Sequence, residues 1–309
     1  MSVDVPVPFR ERGFILILVI WLAALLALLA VGFSAAIQSN LRLATSAVQG
    51  AKAEAAADAG IQLVALALAS GGLASVSSRR FTFDGHPASC ALDGGTVLSI
   101  TVRDTGGLVS LNLANDRLLQ ALFLGLGATP EAASRAADSI IDYRDADSDR
   151  RPGGAEKPEY SAAGRPLGPK NATFDTVEEL HQVLGLEPVM IAAAVPFLTV
   201  HSQTAGLDPR AASPQLSQIL ARGVLQLPSR PGSRAADNGT MPDEFVIGSP
   251  QRVFLVTSEG HLKSGAVYVR QAVLELQAAR DARPAVKMWK RGVAQDGASV
   301  QSAELLPPC

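Results

Sequence analysis

The sequence predicts an α+β protein: one long N-terminal helix, then a β-sheet interrupted by an inserted α-helical domain. Three observations predict it. Phe14 to Leu41 carries no charged side chain, and Phe14 to Phe33 is almost wholly apolar. From Leu41 to Ala69 alanine dominates and no proline intervenes, so the helix should continue beyond the apolar run. Further on, alternating β-branched stretches flank a block with helical caps and periodicity.

The apolar run is long enough to cross a bilayer. Twenty helical residues rise about 30 Å, the thickness of the hydrocarbon core. A secretory signal has a shorter apolar region followed by a small-residue cleavage site. Ser34-Ala35-Ala36 offers a site of that kind, and a plain signal anchor is a further alternative. Arg10 and Arg12 precede the span closely, whereas Arg42 stands alone after it, which favours the N-terminus inside. The remainder then lies across the membrane, in a periplasm if the cell is Gram-negative. Ile61, Val64, Ala65 and Leu68 mark one helical face, and Gly71-Gly72 is expected to stop the helix. A helix from Phe14 to Ser70 is roughly 85 Å long.

Residues 80–113 read as strands, with Phe81-Thr82-Phe83 and Thr96 to Val102 either side of Asp93-Gly94-Gly95. Asn115 caps one helix, which Gly127 ends; Thr129-Pro130-Glu131 starts a second, running to Arg144. Residues 145–172 are rich in proline, glycine and charge and read as a long loop. Thr176 and Glu179 form a capping box. Helices follow at 188–195 and 214–225, a flexible loop at 228–244, and strands at 245–248, 252–257 and 266–277. The segment after Ala278 is expected to be a mobile tail on which Trp289 could dock.

Within the long loop the carboxylates carry a pattern. Asp145, Asp147, Asp149 and Glu156 occupy positions 1, 3, 5 and 12 of an EF-hand-like count. Calcium takes six to eight oxygen ligands, and this spacing lets one loop wrap the ion. The match is partial, since Arg150 stands where an EF-hand needs glycine and Pro152 where it is usually apolar. Asp142 and Glu159 are lesser candidate ligands. The alternative is a solvated acidic loop balanced by Arg144, Arg150 and Arg151.

Other chemistry finds little support. His86, His181, His201 and His261 form no metal-ligand pair at helical spacing, and there is no Gly-x-Ser-x-Gly, P-loop or His-Glu-x-x-His. Asp84, Asp93 and Asp104 precede glycine-containing turns. A net charge of −2 does not suit a nucleic-acid binder. Val183 to Pro188 resembles a helix-hairpin-helix turn, but no Lys or Arg occurs between Lys170 and Arg210. Its expected role is structural. Cys90 and Cys309 could pair in an oxidising compartment, yet two cysteines set no framework, so the pairing stays open.

The N-terminus carries a resemblance. A short basic leader ending in Gly13, followed by Phe14 and an uncharged span, resembles a type IV prepilin or pseudopilin. The resemblance implies cleavage by a prepilin peptidase between Gly13 and Phe14 and methylation of the new N-terminal Phe14. Most members carry Glu at the fifth mature position; here it is Leu18. That acid is thought to pair with a neighbouring subunit's amine, and an unpaired carboxylate in lipid is costly. Among pseudopilins the K-type minor pseudopilins of the type II secretion system lack it, and they are much larger than their relatives; this chain has 309 residues. Asp104 to Asn112, Ile141 to Asp147, Gly154-Ala155-Glu156, Glu159-Tyr160 and Phe174 to Leu186 resemble that family's motifs in order. Val200 to Ala205 departs from an Asn-rich family segment.

This resemblance implies a pilin-like α/β domain with an inserted α-helical domain. It divides the chain into a leader (1–13), a transmembrane part (14–37), a first sheet part (38–113), the insertion (114–227), a second sheet part (228–279) and a tail (280–309). It implies calcium in the helical domain, where the loop spacing offers Asp145, Asp147, Asp149 and Glu156 as candidate ligands, with Asp142 and Glu159 as lesser ones. It implies a non-enzymatic role at the pseudopilus tip, started with I- and J-type minor pseudopilins, in the inner membrane, and possible contact with secreted proteins. The competing expectation is a signal-anchored periplasmic hydrolase with a metal or carboxylate site at Asp142–Glu156.

Overall fold

An alanine-rich chain without proline has no reason to leave the helix, and it does not. The computed structural model describes residues 12–78, 81–92, 95–228, 241, 243–277, 283–293 and 306–309. The leader up to residue 11 and most of the expected 228–244 loop lie outside the described residues. In chain order the elements are α1 (Arg12–Ser78), β1 (Asp84–Leu92), β2 (Thr96–Asp104), β3 (Val109–Ser110), α2 (Asp116–Gly125), α3 (Pro130–Arg144), α4 (Lys157–Ala162), α5 (Pro188–Ala194), β4 (Leu198–Thr199), α6 (Pro214–Val224), β5 (Val253–His261), β6 (Val267–Glu275) and β7 (Ala285–Arg291).

α1 has 67 residues and is about 100 Å long. Gly71 and Gly72 do not end it, because glycine costs only about 1 kcal/mol in a helix and is not a breaker. From Ile15 through the apolar run the helix touches nothing. Its second half packs on a five-stranded sheet of order β1-β2-β5-β6-β7, antiparallel throughout. Ile61, Val64 and Leu68 are buried there against Leu98, Ile100, Phe254, Val256 and Leu274, and Ala65 is partly buried. Small residues let the backbones meet: a Cβ on Gly260 would lie 2.5 Å from the Ala53 carbonyl oxygen, and one on Gly60 would lie 2.1 Å from Ser258 Oγ.

These two contacts set direction. Ala53 faces Gly260 while Gly60 faces Ser258, so α1 and β5 run antiparallel. The end of the sheet at Asp104 and Val253 therefore points away from the apolar half of α1. Arg270 fixes the helix laterally. It donates to Asp58 Oδ1 and Glu54 Oε1, both at 2.6 Å, and lies over the rings of Tyr268 and Trp289.

Several expectations fail for physical reasons. Phe81-Thr82-Phe83 forms no strand; Phe81 is buried and Phe83 tilts onto Phe254, so both serve the core. β1 takes their place despite Gly85 and Pro87, because an edge strand tolerates a missing N–H. Residues 245–248 form no strand: a 3-10 turn covers Asp243–Phe245, and only the Leu207–Val246 bridge follows. The 145–172 segment contains α4. The segment after Ala278 is not a free tail, for β7 pairs with β6 and Cys309 is bonded to Cys90. Trp289 does dock, under Arg270.

Between β2 and β5 the chain leaves the sheet and builds a second core around Leu118, Leu122, Phe123, Ala137, Ile140, Leu216 and Leu220. The caps act as expected: Asn115 accepts from Leu118 N–H and Thr129 from Ala132 N–H. The parallel pair β3–β4 and Asn112 close this domain, Asn112 donating to the Phe174 and Val200 carbonyls and accepting from Phe174 N–H.

The neck between the two cores is polar. Asp104 accepts from Gly106 N–H and Ser249 Oγ–H. Asp208 accepts from Ser249 N–H, Arg210 N–H and the Arg210 guanidinium, which lower its pKa from 3.8 to about 2. The guanidinium bond is the largest cause. A lowered carboxylate stabilises the fold above its unfolded pKa and ceases to as pH falls through the folded one. Asp208→Ala is expected to destabilise the neck by about 1–2 kcal/mol at neutral pH, after allowance for solvent screening of Arg210. The difference from the unsubstituted chain should vanish between about pH 4 and 2, as read by denaturant unfolding across that range.

Candidate metal centre in the helical domain

α3 ends at Arg144, and the loop after it folds back along the helix it has just left. Asp138 and Asp142, one turn apart, receive the loop: Asp138 Oδ2 accepts from Gly153 N–H at 2.9 Å and Asp142 Oδ2 from Arg151 N–H at 3.1 Å. Glycine is required at 154, where a Cβ would lie 2.0 Å from Asp142 Oδ2. The Gly-Ala-Glu motif thereby closes the loop onto α3 and delivers Glu156 into the interior.

The result is a set of buried carboxylate oxygens without partners. Asp142 is 0% exposed and Glu156 3%. Among the described residues, Asp142 Oδ1, Asp145 Oδ1 and both Glu156 carboxylate oxygens have no hydrogen-bond partner. Arg151 Nε stands 3.7 Å from Asp142 Oδ1, too long for one. Burial raises the Asp142 pKa to about 6, with the Asp145 and Asp138 charges adding to it. Burial also raises Glu156, reinforced by Asp142, Asp145 and Asp147, and raises Asp145, reinforced by Asp147.

The other candidates are engaged differently. Asp147 is exposed and its Oδ1 accepts from Asp149 N–H. Asp149 is exposed on the loop's outer side. Glu159 accepts from Glu156 N–H and pairs with Arg150 at 3.6 Å, so it serves the start of α4. The arginines divide: Arg150 pairs with Glu159 and Arg151 with Asp142. Arg144 turns away and donates to the Leu111 and Ala114 carbonyls; burial and then Arg151 lower its pKa to about 10. Among the described residues no three acidic, imidazole or thiol groups stand close enough together to hold a metal ion.

Asn171 was not among the residues singled out from the sequence. Its amide donates to the Asp147 carbonyl, its N–H donates to the Tyr143 carbonyl, and its buried Oδ1 has no partner. It adopts a left-handed φ of 48°, which asparagine tolerates. A lone asparagine fifteen residues beyond Glu156 gives no spacing signal; only the fold brings it to the loop. Hard, acceptor-only oxygens are the kind of ligand calcium prefers. Gly13 and Phe14 lie in the first turn of α1, and Leu18 projects from the bare part of the helix.

Residues 102–203, which contain the acidic loop, match the family described as Type II secretion system (T2SS), protein K. The match covers about a third of the chain. Its fold agrees: it is similar to a chain in the crystal structure of the GspK-GspI-GspJ complex from the enterotoxigenic Escherichia coli Type 2 Secretion System. The TM-score is 0.55 at 16% identity, over 83% of this chain and 99% of that one. No curated protein matches by sequence. One described helix is long and apolar enough to cross a membrane, with mean hydropathy 3.0 over its most apolar stretch. That helix and the family fit a single-pass inner-membrane protein with a periplasmic domain.

The unpartnered carboxylates predict their own test. In chelator, Asp142→Asn removes a charge that burial disfavours and leaves the Arg151 N–H acceptor in place. It is expected to raise stability at pH 7 by about 1–3 kcal/mol. Thermal melting of the substituted and unsubstituted chains with excess chelator measures this; equal or lower stability would contradict the geometry described.

Proposed function

We propose that this chain, as a member of the protein K family, caps the tip of the pseudopilus and helps start its assembly, that it is not an enzyme, and that calcium seals its Asp142–Glu156 loop. One observation carries the tip assignment. The antiparallel register of α1 on β5 sends the inserted helical domain to the end of the sheet farthest from the membrane span. A subunit added above it would meet a folded domain where other pseudopilins offer a bare helix end. Leu18 points the same way, since a subunit with nothing above it has no neighbouring amine for an acid to pair with. The apolar half of α1 is dry-facing in lipid and can be dry-facing in a bundle of like helices.

The solved relative is a complex of GspK with GspI and GspJ. By analogy, I- and J-type minor pseudopilins are the partners of this chain. Neither the family match nor the structural likeness points to a hydrolase. Processing by a prepilin peptidase after Gly13, followed by methylation of Phe14, is the route by which the span would leave the membrane.

Mass spectrometry of the chain from its own cells tests the pseudopilin reading. The expected N-terminus is methylated Phe14, and Gly13→Ala is expected to leave the leader attached and to abolish secretion. An intact Met1, or a cut after Ala36, sinks it.

Calcium is tested separately. In this reading Asp142, Asp145, Glu156 and Asn171 hold the ion, with Asp147 at the rim and solvent filling the shell. Calorimetry is expected to show binding in the micromolar to millimolar range. Glu156→Gln should weaken it at least tenfold. No heat and no rise in melting temperature up to millimolar calcium would defeat the metal assignment while leaving the tip assignment standing.

A further inference from the structure

β1 is an edge strand, and edges are where sheets recruit other chains. Its Ala91 faces outward. Ala91 N–H donates to the Pro307 carbonyl at 2.9 Å, and the Ala91 carbonyl accepts from Cys309 N–H at 3.1 Å. The last residues of the chain thus add a short parallel bridge to the open side of β1. Alternation along an antiparallel strand puts Ser89 and Pro87 on that same side. Pro87 has no N–H, so Ala91 supplies one of only two outward donors between Pro87 and Leu92, and the C-terminus takes it.

Two hydrogen bonds alone do not hold a chain end there. They return less than the entropy lost in ordering three terminal residues. The added restraint is covalent: Cys90, beside Ala91, is joined to Cys309, and both sulfur-bearing residues pack against the sheet core.

We infer that the Cys90–Cys309 disulfide is a redox latch that holds the C-terminal residues on β1 and closes this edge to a second copy of the chain. Closure oxidises two thiols. One S–S bond forms, and two electrons and two protons pass by thiol–disulfide exchange to a partner protein disulfide, which becomes a dithiol. Cys90 lies on the first strand of the sheet and Cys309 stands 219 residues further along, so the bond joins segments far apart in sequence. It can form only when both have reached an oxidising compartment. This timing rests on the periplasmic placement proposed above; the latch itself rests on the hydrogen bonds and the disulfide.

The test compares the full-length chain in detergent in three states: oxidised, reduced with dithiothreitol, and carrying Cys309→Ser. Hydrogen exchange by mass spectrometry follows residues 87–92 and 97–103, and sedimentation follows self-association. The oxidised chain is expected to have no alkylatable thiol and a protected Ala91 amide. Reduction and Cys309→Ser are each expected to speed exchange at 87–92 at least tenfold, to leave 97–103 unchanged, and to increase self-association. Deletion of residues 307–309 should reproduce both effects. Unchanged protection at Ala91, equal loss at 97–103, or a freed edge that leaves association unaltered would each overturn the latch. None of these readouts depends on pseudopilus assembly, and a failure to find methylated Phe14 would leave them untouched.

Discussion

The packing of α1 on the sheet is the constraint on which the rest depends. Glycine or alanine at Ala53, Gly60 and Gly260 brings helix and sheet backbones close enough that only one register fits. Arg270, pinned between two helix carboxylates and two aromatic rings, then prevents rotation about that register. An ion pair of this kind contributes modestly to stability, but it specifies orientation. The register decides that one end of the molecule is a bare apolar helix and the other a second folded domain.

That second domain is a separate hydrophobic core, joined to the sheet through a polar neck. The neck is held by hydrogen bonds from Ser249 to Asp104 and Asp208, which are directional where apolar contacts are not. A directional joint fixes how the two cores meet. Inside the domain, the loop after α3 is the costly part. It buries carboxylate oxygens of Asp142, Asp145 and Glu156 that have no hydrogen-bond partner among the described residues, with the Arg151 guanidinium 3.7 Å from Asp142, and such burial is unfavourable where charge stays uncompensated.

Much of this was legible in the chain. Caps at Asn115 and Thr129 are local, each depending on a side chain three residues from the N–H it satisfies, and both stand where the spacing placed them. The buried face Ile61-Val64-Leu68 follows from helical periodicity. Errors came where distant contacts outweigh local preference. Phe81 and Phe83 look like strand residues but fill the core, and the strand forms over Asp84–Leu92 instead, where β2 supplies the ladder. The carboxylate pattern was visible at Asp145 and Glu156, yet the count along the loop ranked Asp149 with them and Asp142 below. In the fold Asp149 faces solvent, whereas Asp142 is fully enclosed.

By itself the sequence determined the periodic and the covalent. Twenty uncharged residues are long enough to span a bilayer, an uninterrupted alanine-rich run remains helical, and a glycine before Phe14 marks a junction in the resemblance it carries. Only the tertiary structure decided which end of the sheet carries the helical domain, that Asn171 joins the acidic loop, and that Cys309 returns to Cys90. Each of these joins residues far apart in the chain. Such contacts are chosen by the packing of whole elements, a property that no local window of sequence contains.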